Sequence, residues 1–186
     1  MKIILILLLS SIVTIFSYSQ KNNFIPDVSV IGIKLRDVYS MDKKFPNYKK
    51  LLDFPLEAEV YLLNKDESET LTVSFYAGTS ADEPMEFHIS MTDETQLNKL
   101  KTIKLNVDRF TTESNIKLHI SKDDLIKIKG QNYKLEKYGD LEIVKYRIDN
   151  IETSDFLQSF GLPEYFADYT FQKGKLLKVD FGFTNP

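Results

Sequence analysis

The chain has 186 residues, of which 42% are hydrophobic and 27% charged, with a formal net charge of −3, two histidines and no cysteine. That balance excludes a nucleic-acid binder with the usual basic face, a disulfide-stapled scaffold and any chemistry that needs a thiol. The apolar fraction is ample for a core without disulfides in a chain of this length.

Residues 1–19, "MKIILILLLSSIVTIFSYS", stand apart from the rest. Lys2 is a minimal positive n-region, Ile3 to Phe16 is a nearly unbroken apolar run, and Ser17 and Ser19 are small residues at the positions a signal peptidase reads. The stretch reads as a signal peptide cleaved after Ser19. It is shorter than the ~20 apolar residues of a spanning helix, and an uncleaved anchor is the alternative. An exported protein, periplasmic or secreted, is therefore expected, without stable membrane insertion after cleavage. About 165 residues remain, enough for one medium domain or two small packed subdomains. Loss of Lys2 takes the formal charge from −3 to −4.

After the polar "KNNF", the first apolar pattern covers Ile25–Leu35. A short helix is predicted over Val38–Phe45, stopped by Pro46. The period then becomes two. Ala58, Val60 and Leu62 share one face of "EAEVYLL"; Leu71, Val73, Phe75 and Ala77 one face of "TLTVSFYA"; Met85, Phe87, Ile89 and Met91 one face of "MEFHISM". Three half-buried strands with polar links predict an antiparallel meander. "TDETQLNKL" is a short helix or a loop, and "KTIKLNV" a fourth strand or a bridge between halves.

Ile116, Leu118 and Ile120 alternate, which predicts an extended lead-in. Ser121 follows as an N-cap, with Asp124 three residues later. Leu125 and Ile128 lie on one helical face, Lys127 and Lys129 complement the C-terminal end of the dipole, and Gly130 supplies the stop. "YKLEKY" and "LEIVKYRI" read as strands, with a phase slip between Ile143 and Val144 that marks a bulge. "SDFLQSFG" is one or two helical turns. "YFADYTFQKGKLLKVDFGF" is a β-hairpin turning at Lys173-Gly174, with Tyr165, Ala167, Tyr169 and Phe171 on one face of the first arm and Leu177, Val179, Phe181 and Phe183 on one face of the second. "GIKLRDVYSMDKKFPNYKKL" from Gly32 and "NIKLHISKDDLIKIKGQNYKL" from Asn115 share the order IKL, short helix, NYK, strands. This predicts two similar halves, 20–110 and 111–186, in an α+β fold dominated by antiparallel sheet.

The stretch 116–149, "IKLHISKDDLIKIKGQNYKLEKYGDLEIVKYRID", resembles the unit of beta-lactamase-inhibitor-protein-like domains and of the small outer-membrane assembly lipoproteins of the SmpA/OmlA group. Ser121 matches their helix start, Gly130 the glycine at the helix end, and Tyr133 to Ile148 their strands. The match departs where His119 replaces the usual glycine before the helix, where Gln131 replaces a proline, and in the missing lipobox cysteine. The resemblance implies a non-catalytic protein-binding or envelope role and carries over no catalytic residue.

Chemical motifs are few. His88 and His119 each fall on the polar face of an alternating stretch and lack metal-ligand spacing, so both read as solvent-facing. Ser40–Lys43 and Ser114–Lys117 match S-x-x-K, without the companion elements of penicillin-binding enzymes. Asp82-Glu83, Asp123-Asp124 and "DESE" are adjacent loop acids, unlike a catalytic pair facing across a cleft. No catalytic residue, cofactor or metal is expected. The aromatic C-terminal segment reads first as core and cross-strand packing; if any cluster is a binding patch, Tyr165, Phe166 and Tyr169 are the candidate binding residues, because tyrosine offers an apolar body and a polar tip. The function expected is an exported, non-catalytic protein-interaction module of the cell envelope, of inhibitor or immunity type, with another protein as partner. A small envelope hydrolase and a carrier of an apolar ligand are the alternatives.

Overall fold

The computed structural model describes residues 24–46, 48, 57–76, 83–93, 95 and 101–184. The signal-like stretch 1–19 and most of "TDETQLNKL" lie outside them. The fold is α+β; the described residues form a two-stranded sheet, three short helices and an eight-stranded, mostly antiparallel sheet.

In chain order, β1 (Ser29–Val30) and β2 (Ile33–Lys34) form a small hairpin, followed by helix α1 (Val38–Lys44). Three strands follow as the meander predicted: β3 (Glu57–Leu63), β4 (Glu69–Tyr76) and β5 (Glu86–Met91). "KTIKLNV" supplies the short β6 (Thr102–Lys104), parallel to β3 at the sheet edge. The second half contains α2 (Lys122–Lys129), β7 (Lys134–Tyr138), β8 (Leu141–Ile148), α3 (Asp155–Phe160), β9 (Tyr165–Gln172) and β10 (Lys175–Phe183). The strand order across the large sheet is β6-β3-β4-β5-β10-β9-β8-β7. Each half thus contributes four adjacent strands, and the two blocks meet where β5 pairs with β10.

The two similar stretches share local detail. Ile33 and Leu35 are buried, as are Ile116 and Leu118. The residue after each triplet is left-handed, Arg36 at φ 57° and His119 at φ 70°. Each donates its N–H across to the chain near the start of its half's innermost strand: Arg36 to Pro84 O and His119 to Leu176 O, both at 2.8 Å. A capping side chain follows, Asp37 accepting from Ser40 N and Ser121 from Asp124 N. These caps satisfy amides that the first turn leaves without partners. Four residues past each cap comes the buried apolar residue, Met41 or Leu125.

Three local expectations are corrected. The lead-in Ile116–Ile120 alternates in burial but is no strand. It runs through the left-handed turn at His119 and meets β10 by two main-chain bonds with Leu176, from His119 N and to Ile120 O, and by the isolated bridge Ser121↔Lys175. The bulge lies between Leu176 and Lys178 rather than in β8, whose register with β7 and β9 is regular. The extra residue is Leu177, so Leu176 takes the buried place opposite Phe171 and the odd-numbered residues take over from Val179. Met91, at the end of β5, is exposed rather than inward.

One face of the sheet carries Val60, Leu62, Leu71, Val73, Phe75, Phe87, Ile89, Val179, Phe181, Tyr165, Ala167, Tyr169 and Phe171, all buried. Met41 of α1, Leu125 of α2 and Leu157 of α3 belong to the same apolar cluster. All three helices therefore pack on this face, and none of them packs on the other.

Candidate functional site

The opposite face is built by the other phase of the same strands, since side chains alternate across a pleated sheet. Its central row runs Thr72, His88, Asp180, Asp168, Lys145 and Lys134 across β4, β5, β10, β9, β8 and β7. The row crosses the seam between the two blocks at His88 and Asp180. There His88 Nδ1 lies 2.7 Å from Asp180 Oδ1, and Nε2 lies 3.3 Å from Glu86 Oε2. Lys178 Nζ contacts the same Asp180 oxygen at 2.9 Å. Burial opposes the charged imidazole and is the largest single effect. The hydrogen bonds and charges of Asp180 and Glu86 together outweigh it and push the His88 pKa up to about 9.

His88 is therefore on the polar face, as expected, but it is half-buried and clamped rather than solvent-facing. Both ring nitrogens are occupied and the ring is protonated at neutral pH, so it offers no general base there. His119 is exposed and sits on the left-handed turn. The two histidines do not come together, and among the described residues no group of three or more His, Cys, Asp or Glu side chains could hold a metal ion.

Next to the seam, Arg147 forks onto Asp168, with Nη1 at 2.5 Å from Oδ1 and Nη2 at 3.1 Å from Oδ2. Its guanidinium lies 5.6 Å from the centre of the Phe166 ring. Toward the β7 edge, Glu136 receives Lys145 at 2.7 Å and Lys134 at 2.9 Å. Those hydrogen bonds, Lys145's first, hold its carboxyl down at about 2. The outer face is thus a lattice of paired charges with the half-buried Phe166 ring among them and Tyr61 and Tyr138 nearer its two edges.

Of the three candidate aromatic residues, only Phe166 lies on this open face. Tyr165 and Tyr169 are fully buried on the helix side, as core packing expects, so the three do not form one surface cluster. Alternation separates them: Phe166 is out of phase with its two neighbours. Tyr165 donates its hydroxyl to Asp27 O at 2.6 Å, and the Tyr169 hydroxyl has no hydrogen-bond partner.

The other motifs resolve into structural contacts. Ser40 donates to Asp37 O, and Ser114 accepts from Lys129 rather than meeting Lys117. Asp124 donates its N–H to the capping Ser121 and its carboxylate accepts the Ser121 hydroxyl, Glu83 pairs with Arg36 at 2.8 Å, and Glu69, nearly fully buried, accepts from Arg109 Nε and Phe110 N.

One pair escaped the sequence reading. Lys129, expected to complement the dipole at the end of α2, is fully buried against the equally buried Asp27, with Nζ 2.8 Å from Oδ2. Nζ also donates to Ile25 O at 2.7 Å and Ser114 Oγ at 3.0 Å. Burial is the largest influence on Lys129 and lowers its pKa, and the charge of Asp27 works against that. The available signal was spacing: Lys129 follows the buried Leu125 by four residues and so shares its inward helix face.

No protein-family model, curated protein or solved structure matches the chain. Within the described residues no helix is long and apolar enough to cross a membrane.

Proposed function

We propose that this chain is an exported, non-catalytic protein-interaction module of the cell envelope, of inhibitor or immunity type, which presents the open face of its eight-stranded sheet to another protein. The observation that carries this reading is the face itself: six neighbouring strands offer a row of charged and polar side chains on the side away from the three described helices, with Arg147 and Phe166 beside it. Arginine and aromatic side chains are the types most often found at the energetic centre of protein interfaces. The resemblance of 116–149 to inhibitor and envelope-assembly units points the same way. It draws on Ser121 and Gly130, which do start and stop α2. The 1–19 stretch supports export.

The hydrolase alternative keeps one observation, the contact of His88 with Asp180 and Glu86. Its two occupied ring nitrogens and raised pKa weigh against it. The test is affinity capture from the exported fraction, repeated with the Arg147→Ala/Phe166→Ala double variant. The reading expects a discrete partner retained by the unaltered chain and lost by the variant. Equal retention by both would move the interface elsewhere, and hydrolytic activity lost in His88→Gln would overturn the non-catalytic reading.

A further inference from the structure

The segment Phe24–Val30 is an arm laid into the other half of the molecule. Phe24 stacks on Tyr146 at 4.5 Å and 12°, with Tyr165 at 6.1 Å. Lys129 Nζ donates to Ile25 O, Tyr165 OH to Asp27 O, and Ser114 N to Asp27 Oδ1. Val28 N and Ser29 Oγ both donate to the Glu113 carboxylate at 2.9 Å. Every one of these partners lies between residues 113 and 165, beyond the first half of the chain.

The arm is joined to its own half by the turn Ile31-Gly32, at φ 46° and 82°. A two-residue hairpin with both φ values positive favours Asn-Gly, and a β-branched residue in that region is an outlier. Ile31 is held there by packing against the core and by its N–H bond to Thr111 O at 3.1 Å. A closely matched groove and a strained, short hinge are the combination that favours exchange between copies. An opened hinge releases the turn and leaves each arm contact available in a second molecule.

We propose that Phe24–Val30 exchanges between two copies of this chain, the arm of each filling the groove of the other, with Asp27 of one copy against Lys129 of its partner. A second copy is the occupant that the groove's own chemistry selects. The arm supplies the stacked ring, the buried carboxylate and the main-chain carbonyls at the spacing the groove already accepts. This inference is independent of the open sheet face and of its proposed partner.

The experiment combines light scattering on the purified chain over a wide concentration range with the Ser29→Cys/Glu113→Cys variant on a non-reducing gel. The chain has no other cysteine, so that pair can close only within one copy or between two. Exchange expects a concentration-dependent dimer that interconverts slowly, and a covalent dimer band from the cysteine variant. Ile31→Gly removes the strain that exchange relieves, by about tenfold for each of the two turns, so its dimer dissociates about a hundredfold more readily. A chain monomeric at every concentration would overturn the proposal. So would a dimer whose disulfides are all intrachain, or one indifferent to Ile31→Gly.

Discussion

Replacement of His88 by glutamine tests the seam between the two blocks. The imidazolium is held by Asp180 and Glu86, and its pKa in the folded chain is about 9 against 6.5 for a free histidine. The folded state therefore binds a proton more tightly than the unfolded one. The resulting stabilisation is fully present below pH 6.5, declines between pH 6.5 and 9, and is absent above. A difference of about 2.5 units corresponds to about 3 kcal/mol at 1.36 kcal/mol per unit. The side chain is 26% exposed, so solvent screening trims that ceiling without removing it. For a domain of this size, about 3 kcal/mol is a shift of roughly 6–12 °C in Tm. Urea unfolding of the unaltered chain at pH 6 and pH 9.5 should show most of this loss. His88→Gln should already be weaker at pH 6 and nearly flat across the window. An unaltered chain equally stable at both pH values, or a glutamine variant that keeps the same slope, would refute the clamp.

Removal of either member of the buried Asp27–Lys129 pair should destabilise by about 3–5 kcal/mol, because the survivor is left charged and unpaired. Asp27→Asn/Lys129→Met together should cost much less than the sum of the two, as read from urea midpoints. Gly182→Ala places a Cβ 2.3 Å from Met85 O, at the β5–β10 seam, and should cost at least the 1–3 kcal/mol typical of overpacking. Tyr169→Phe removes a buried hydroxyl without a hydrogen-bond partner and should be neutral or stabilising, whereas Tyr165→Phe loses the bond to Asp27 O and should be destabilising by about 1 kcal/mol. Thermal unfolding of the two phenylalanine variants side by side checks the difference.

Period and punctuation made much of the fold legible. Alternation located β3, β4, β5, β9 and most of β10, and Ser121 and Gly130 marked both ends of α2. Alternation could not reveal Leu177 as an extra residue, since both it and Leu176 are leucines and the choice between them is made by β9. His88 and Asp180 were each visible as outward-facing strand residues. Their meeting depends on β5 lying beside β10, a pairing across 92 residues that no local pattern encodes. Asp27 and Lys129 were hidden for a different reason. A charged residue is priced by its type as exposed, and only its exact partner reverses that. Tyr165 and Tyr169 stayed open between core and surface because tyrosine suits both, and only strand phase separates them from Phe166.

The arm and the seam also set the order in which the chain can become stable. Asp27 meets the Tyr165 hydroxyl across 138 residues, Ile25 meets Lys129 across 104, and the middle of the large sheet needs β10. Closing such distant contacts is entropically expensive and slow, so a chain synthesised only through β6 holds the block β3–β6 with an open edge at β5 and an arm without a groove. The first residues are locked once Tyr165, at the start of β9, is in place, whereas a chain shortened by β10 would leave β5 and β9 each with an unpaired edge.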